Sequence, residues 1–248
     1  MLGRKIKKLK NWLQNRHNLQ LFRLRLAEDR QKTALYRAVL ISHELSATGA
    51  PLMLLAAAEA ILADGGSVRV LAYMDGPLRE KFEKLGISVF YHPGFRDNAR
   101  LLNEFGGDCA YAVANTAVAY PAVSLLKGPR VLWWIHEAQV IEKDYIARFR
   151  QKKFRPDLEQ TLRQAGKLAV VSDYAREIAA KYNPRVEVIH PAVADVAKEQ
   201  GLQPKQPAEK IRFAMLGAVC EIKGQDVLLK AVRLLPAAYR AQAEFHIA

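Results

Sequence analysis

Cysteine is scarce. Cys109 and Cys220 are the two in 248 residues, and without a Cys-x-x-Cys pair they suggest neither a thiolate zinc site nor a disulfide framework. A reducing compartment is the default reading. Long apolar runs are missing too. The one uncharged stretch that raises the question of a membrane span, residues 109–126, is rich in alanine and holds Asn115, Thr116, Pro121 and Ser124. A strand, a polar turn and a helix account for it better than a span needing about 20 strongly apolar residues. No serine precedes Ser42, and the basic start is not followed by an uninterrupted apolar segment, so a cleaved targeting peptide fits poorly. Gly-x-Gly-x-x-Gly, a Walker loop, Gly-x-Ser-x-Gly, His-Glu-x-x-His and Asp-x-Asp are all absent. Nicotinamide dehydrogenase, P-loop ATPase, α/β-hydrolase and zincin readings lose their main support.

Positive charge is abundant. Thirty-eight Lys and Arg stand against 25 Asp and Glu, a formal net charge of +13, while half of the residues are apolar. That composition belongs to a basic globular protein of one or two domains, not to a disordered or fibrous chain. The surplus is concentrated at the start, where residues 1–32 hold ten basic side chains against Glu28 and Asp29. In that segment Leu2, Ile6, Leu9 and Leu13 fall on one helical stripe, with Trp12 beside it and lysines around the rest. On one reading this is a basic amphipathic arm lying on an anionic membrane surface. Lys5, Lys7, Lys8, Lys10 and Trp12 are then the contacts, each cation near the lipid adding about 1 kcal/mol. The other reading is a solvated arm, or a helix packed on its own domain. Nucleic acid is not expected as a partner, because the body of the chain lacks a basic-aromatic stripe or a reader motif.

From Arg37 onward short β-branched runs alternate with helical patterns. Strands are predicted at 38–42, 68–73, 87–91, 109–114, 130–135, 167–171 and 186–189, with helices near 51–64, 77–85, 97–105, 117–126, 138–150 and 173–182. Strands apolar on both faces between helices imply a doubly wound α/β domain with a parallel sheet. Residues 195–210 are polar, contain two prolines and read as a linker. A strand at 211–216, a Gly-rich turn, a helix at 225–235 and a strand from Glu244 then open a second α/β unit, too short to make its own core. The expected organisation is an arm over 1–34, a Rossmann-like domain over 35–194, the linker, and an incomplete domain over 211–248.

Ligands of open parallel sheets bind at the carboxyl ends of the strands, so the loops there carry the chemistry. After the first strand, residues 42–51 (Ser-His-Glu-Leu-Ser-Ala-Thr-Gly-Ala-Pro) place Gly49 where backbone can approach a ligand. Pro51 suits the first turn of a helix whose N-terminus favours anions. Asn115-Thr116 reads as an Asx-type turn that caps the next helix or meets a ligand. In Trp133-Trp134-Ile135-His136-Glu137 an apolar strand ends in an imidazole and a carboxylate. His136 either donates to a phosphate or sugar hydroxyl, or moves a proton, or is a satisfied strand-end histidine with Glu137 as the first acid of the helix. Ser172-Asp173 is a ready N-cap, and His190-Pro191 closes the last strand with either role open. Beyond the linker, Gly217 ends a strand and Lys223 precedes a helix, a place suited to a diphosphate.

Taken in order, Ser-Ala-Thr-Gly-Ala-Pro, Ala-Asn-Thr, Trp-Trp-Ile-His-Glu, Val-Val-Ser-Asp-Tyr, Val-Ile-His-Pro-Ala-Val and Leu-Gly-Ala-Val-Cys-Glu-Ile-Lys-Gly-Gln-Asp resemble a retaining GT-B glycosyltransferase of the family 4 type, over residues 37–248. The resemblance implies two Rossmann-like lobes, a nucleoside-diphosphate sugar held mainly by the C-terminal one, and a saccharide or lipid-linked acceptor held by the N-terminal one. No cofactor and no obligatory metal are implied. Gly49 would lie near the donor phosphates and the transferred sugar, with Asn115, Glu137 and Gly217 in the same binding region. His136 would hydrogen-bond the sugar or reaction centre, and Lys223 would neutralise the leaving diphosphate. Two departures stand out: Ala218 occupies a place where the family often has Arg, and the family's Glu-x7-Glu segment has no counterpart within these residues. With the arm, the resemblance implies a cytoplasmic enzyme, peripheral on the inner membrane face. The alternatives are a non-catalytic membrane-attached α/β scaffold, or another GT-B-shaped enzyme such as a nucleotide-sugar epimerase.

Overall fold

A computed structural model describes residues 2–142, 154–192, 200–201, 210–217, 219 and 221–247, with side chains from residue 14 onward except at 139, 154–157 and 222. The predicted linker lies outside the described residues apart from 200–201 and 210. So do the part of the helix expected at 138–150 that follows Glu142, and Ala218. The chain divides into two compact units, residues 1–192 and 193–248.

The first unit begins with helix α1 (Leu2–Asp29) and continues through β1 (Arg37–Ser42), α2 (Gly49–Ala63), β2 (Ser67–Ala72), α3 (Leu78–Lys84), β3 (Ser88–Tyr91) and α4 (Ala99–Gly106). It then runs through β4 (Tyr111–Asn115), α5 (Tyr120–Leu125), β5 (Arg130–Ile135), α6 (Ala138–Ile141), α7 (Phe154–Gln164), β6 (Lys167–Val170), α8 (Asp173–Ala180) and β7 (Glu187–Val188). The seven strands form one parallel sheet in the order β3-β2-β1-β4-β5-β6-β7. This is the doubly wound, Rossmann-like order, whose direction reverses between β1 and β4. Alternate residues of β1 go to opposite faces, as the period of a strand requires. Val39 and Ile41 join Leu101, Leu102 and Phe105 of α4 on one side, and Leu40 joins Leu54, Ala58, Leu78 and Phe82 of α2 and α3 on the other. A third cluster surrounds Trp133 and Ile135 of β5 with Leu158, Leu162, Ala175 and Ile178.

The boundary expected at residue 34 falls inside this unit. The second half of α1 is built into the domain: Phe22 and Leu26 are buried in the cluster that holds Phe90 and Phe105, and the Phe22 ring meets those of Phe90 and Tyr91 edge-on at 5.5 and 5.3 Å. Two such side chains removed from water favour docking by about 1.5–3 kcal/mol each. Arg69, wholly buried in β2, fixes the end of the helix. Its guanidinium sits 2.8 Å from Asp29 and 2.7 Å from Asp108, and donates to the Phe105 carbonyl. Burial pushes the Asp29 carboxyl up, but hydrogen bonds from Ser88, Arg69 and Lys32 and the Arg69 charge outweigh it and hold the group below its usual range. For residues 19–32, packing on the domain is what occurs.

The second unit is a parallel pair, β8 (Ile211–Met215) and β9 (Ala243–Ile247), joined through α9 (Gln225–Leu234) and α10 (Ala237–Ala241). Phe213 and Phe245 stack at 5.2 Å, yet Ile211, Phe213 and Leu234 are exposed, and Gln225 alone is buried among its described residues. Two strands and two short helices enclose too little volume for a core.

Candidate functional site

The strand order reverses between β1 and β4, and the polar loops at their carboxyl ends meet there. Thr116, directly after β4, adopts φ 76° and ψ 162°, the only positive φ of a non-glycine residue among those described. That region is essentially reserved for glycine, and a β-branched residue held there stores about 1–3 kcal/mol. Its neighbours over-determine the conformation. The Thr116 N–H donates to the Trp134 carbonyl at 2.8 Å, its own carbonyl accepts from the Trp133 indole at 2.8 Å, and its hydroxyl lies 3.3 Å from His43 Nδ1. From His43 a polar string runs to Glu44 at 3.5 Å, on to Ser46, whose hydroxyl donates to the Glu44 carboxylate at 2.7 Å, and then to Thr48, the residue before α2.

Asn115 does not cap a helix. Its side-chain amide donates to the Ala50 carbonyl at 3.0 Å, tying β4 to the first turn of α2, and its Oδ1 is buried without a partner among the described residues. The Asx turn expected there is replaced by this tie, because Thr116 leaves the strand with positive φ and carries the backbone away from the Asn115 oxygen. Gly49 opens α2 with nothing within 4 Å of where a Cβ would stand, so that side of the helix N-terminus is clear. Close approach is required at Gly76 instead, where a Cβ would lie 2.4 Å from the Leu45 carbonyl and push apart the loops after β1 and β2.

His136 and Glu137 leave β5 beside this group. His136 packs against Trp134 with ring centroids 4.7 Å apart, and its Nε2 is buried with no partner among the described residues. Desolvation lowers its pKa to about 4, so the ring is neutral at physiological pH. A neutral imidazole with one nitrogen unengaged suits hydrogen bonding to a hydroxyl or phosphate oxygen; a cationic proton donor is disfavoured. Glu137 precedes α6 without capping it and accepts from the Ala117 N–H at 3.1 Å. Burial pushes its carboxyl up, partly offset by that N–H and by His43.

Gly49, Asn115, His136 and Glu137 therefore gather at one edge. Ser172 is an N-cap, accepting from the Ala175 N–H at 3.2 Å, and His190 is exposed beyond the edge strand β7. In the second unit Gly217 has φ +139°, and a Cβ there would lie 3.7 Å from the Lys223 methylenes, so these two also lie together. Lys223 is exposed and ends a 3-10 turn, two residues ahead of α9. Lys5, Lys7, Lys8, Lys10 and Trp12 lie within α1, and their side chains are outside the described set. His43 and Glu44 were named in sequence only as part of the loop after β1, and Thr116 only as the partner of Asn115 in a turn; nothing in the residue name announces the backbone strain of Thr116.

The model of glycosyl-transferase family 4 matches residues 36–194, more than half of the chain. The chain belongs to that family. No curated protein matches the sequence. Among solved structures, HepE of Anabaena in complex with UDP-glucose is similar, with TM-score 0.60 and 14% identity over 86% of this chain and 60% of that one. An alpha-glucosyltransferase in complex with UDP and a 13-mer DNA containing a HMU base is similar with TM-score 0.52 and 14% identity, over 81% of this chain and 54% of that one. At such identity the likeness concerns the fold, a Rossmann-like lobe of GT-B type, and the chain spans 60% of the length of HepE. The family match covers the whole seven-stranded sheet and its carboxyl-edge loops and leaves α1 and the β8–β9 pair outside it.

Proposed function

We propose that this family 4 chain supplies the acceptor-side lobe, and part of the donor side, of a retaining glycosyltransferase that moves a hexose-type sugar from a nucleoside diphosphate to a saccharide or lipid-linked saccharide. The observation that carries the reading is the convergence of strained Thr116, neutral His136 and the open N-terminus of α2 at the strand-order reversal of a family 4 domain. The titles of similar structures name UDP-glucose and UDP, which supports a nucleoside-diphosphate sugar as donor.

In this reading the Gly49 and Ala50 N–H groups, at the positive end of a 15-residue helix, face donor oxygens. His136 Nε2 holds a sugar hydroxyl, which removes the cost of its unpaired burial. Asn115 and Glu137 keep the loop after β4 in place by their bonds to Ala50 and Ala117. Lys223 stabilises the charge that grows on the diphosphate as the glycosidic bond breaks, a role given to the ammonium and not to a resident metal. The enzyme works on the cytoplasmic side as a peripheral membrane protein.

The test is calorimetric titration of UDP-glucose into a polypeptide containing both complete lobes, with turnover measured in parallel. Lys223→Ala weakens donor binding by about tenfold, the worth of one charge-assisted contact, while His136→Ala lowers turnover more than affinity. Unchanged affinity in the first removes Lys223 from the site, and a normal rate in the second makes His136 structural.

A further inference from the structure

Helix α1 has two unlike faces. Leu19, Phe22, Leu26 and Asp29, spaced 3, 4 and 3, lie against the domain. Leu2, Ile6, Leu9 and Leu13, spaced 4, 3 and 4, occupy a stripe about 150° away around a helix of 3.6 residues per turn. The continuation of that second stripe along the docked half passes exposed Gln20 and reaches Leu24, which is 66% exposed. By helical register the apolar positions of the first half thus fall on the side of α1 opposite the docked stripe.

Charge follows the same division. Arg23, Arg25 and Arg30 of the docked half are paired with Glu104, Glu83 and Asp108 of the domain. Arg4, Lys5, Lys7, Lys8 and Lys10 cluster in the first half, and no acidic residue precedes Glu28. The direction of the helix is also fixed. Lys32, just past its end, donates to Gly86 and Ser88 at the start of β3, whereas Phe22 meets Tyr91 at the end of that strand. The helix thus runs antiparallel to the strands and carries residues 2–18 about 25 Å beyond the carboxyl edge, the edge that holds Thr116 and His136.

We propose that α1 is a bracket whose outward positions, Leu2, Ile6, Leu9, Leu13 and Leu24, lie on an anionic bilayer, so that the strands, antiparallel to the helix, run along the lipid surface and the carboxyl edge opens alongside it. Among the described residues no helix is long and apolar enough to cross a membrane. A stripe of leucine and isoleucine positions bordered by cations, in a segment without acidic residues, instead matches the headgroup boundary of acidic lipids. The proposal sharpens the membrane placement given above and rests on no catalytic assignment, so loss of lipid binding and loss of sugar transfer are read separately.

The experiment is co-sedimentation of the full chain with vesicles of phosphatidylcholine alone, or mixed with phosphatidylglycerol, at low and high salt. Binding to the acidic vesicles, falling steeply with salt, is expected. Leu9→Glu with Leu13→Glu weakens it about tenfold or more, since two buried apolar contacts become charges. Leu24→Glu, at an exposed site that does not support the fold, weakens it less, and Leu35→Glu, exposed but off the helix, leaves it unchanged. Circular dichroism confirms that each variant is folded. Equal binding by the double variant overturns the proposal, as does equal binding to neutral vesicles. So does a wild-type protein that ignores lipid but self-associates through the stripe or binds RNA.

Discussion

Acid is expected to unfold this protein partly through His136. In the folded chain the imidazole has its pKa lowered from 6.5 to about 4 because the ring is desolvated beside Trp134. Unfolding returns it to the ordinary value, so between those two pH values the unfolded chain binds one proton that the native chain refuses. The contribution is complete above pH 6.5 and is lost as pH falls through that window. From pH 7.5 to pH 4.5 the difference corresponds to about 2 kcal/mol once partial solvent access of the ring is allowed for. For a unit of this size that is about 5 °C in Tm. Urea unfolding of the wild type and of His136→Gln at both pH values isolates it. Asp29, Asp108 and Glu104, held below their usual range, and Glu137, pushed above it, act in both proteins and cancel in the comparison. Glu137 works in the opposite sense, its raised carboxyl favouring the fold at low pH and less as pH rises. The wild type should lose about 2 kcal/mol more than the variant on acidification. Equal losses, or an imidazole NMR titration centred near 6.5, would refute the desolvated state of the ring.

Two further substitutions test the frame around the site. Arg69→Met leaves Asp29 and Asp108 without the guanidinium that lies 2.8 and 2.7 Å from them, and about 3–5 kcal/mol of stability should go with it, since one partner of a buried cluster is removed. Hydrogen exchange should show the end of α1 opening before the sheet; uniform loss of protection would mean that the clamp is not local. At Thr116 the usual order of residues is inverted. Thr116→Gly should be more stable than Thr116→Ala by about 1–2 kcal/mol, because only glycine relaxes at that backbone angle, and denaturant midpoints decide between them.

The bracket and the site are connected through one piece of the fold. Arg69 lies in β2, the strand next to β1, and its carboxylate partners come from the end of α1 and from the turn before β4. The same cluster therefore anchors the helix and positions the segment that leads into β4, at whose far end Thr116 stands. Fastening α1 to a strand that borders the site gives any surface held by α1 a fixed orientation to the carboxyl edge.

Much of this architecture was legible in the chain. The β-branched runs separated by helical patterns located all nine described strands to within one or two residues at most ends, because strands covered on both faces, as in the seven-stranded sheet, are apolar at most positions. Ser172 announced its cap for an equally local reason: one hydroxyl satisfies one backbone N–H three residues on. Local sequence also gave the basic first helix and the sites of Gly49, Asn115, His136 and Glu137 at strand ends. It did not reach the docking of residues 19–32, since the apolar stripe of the first half and the buried stripe of the second lie on different faces, and only the partner surface on β3 and α4 tells them apart. Nor did it reach the tie of Asn115 to Ala50, the neutral state of His136 or the strained angle of Thr116. Those depend on which loops the strand order brings side by side and on how much water the neighbouring Trp134 excludes. Burial and long-range pairing belong to the assembled sheet, whereas periodicity and capping belong to the chain itself.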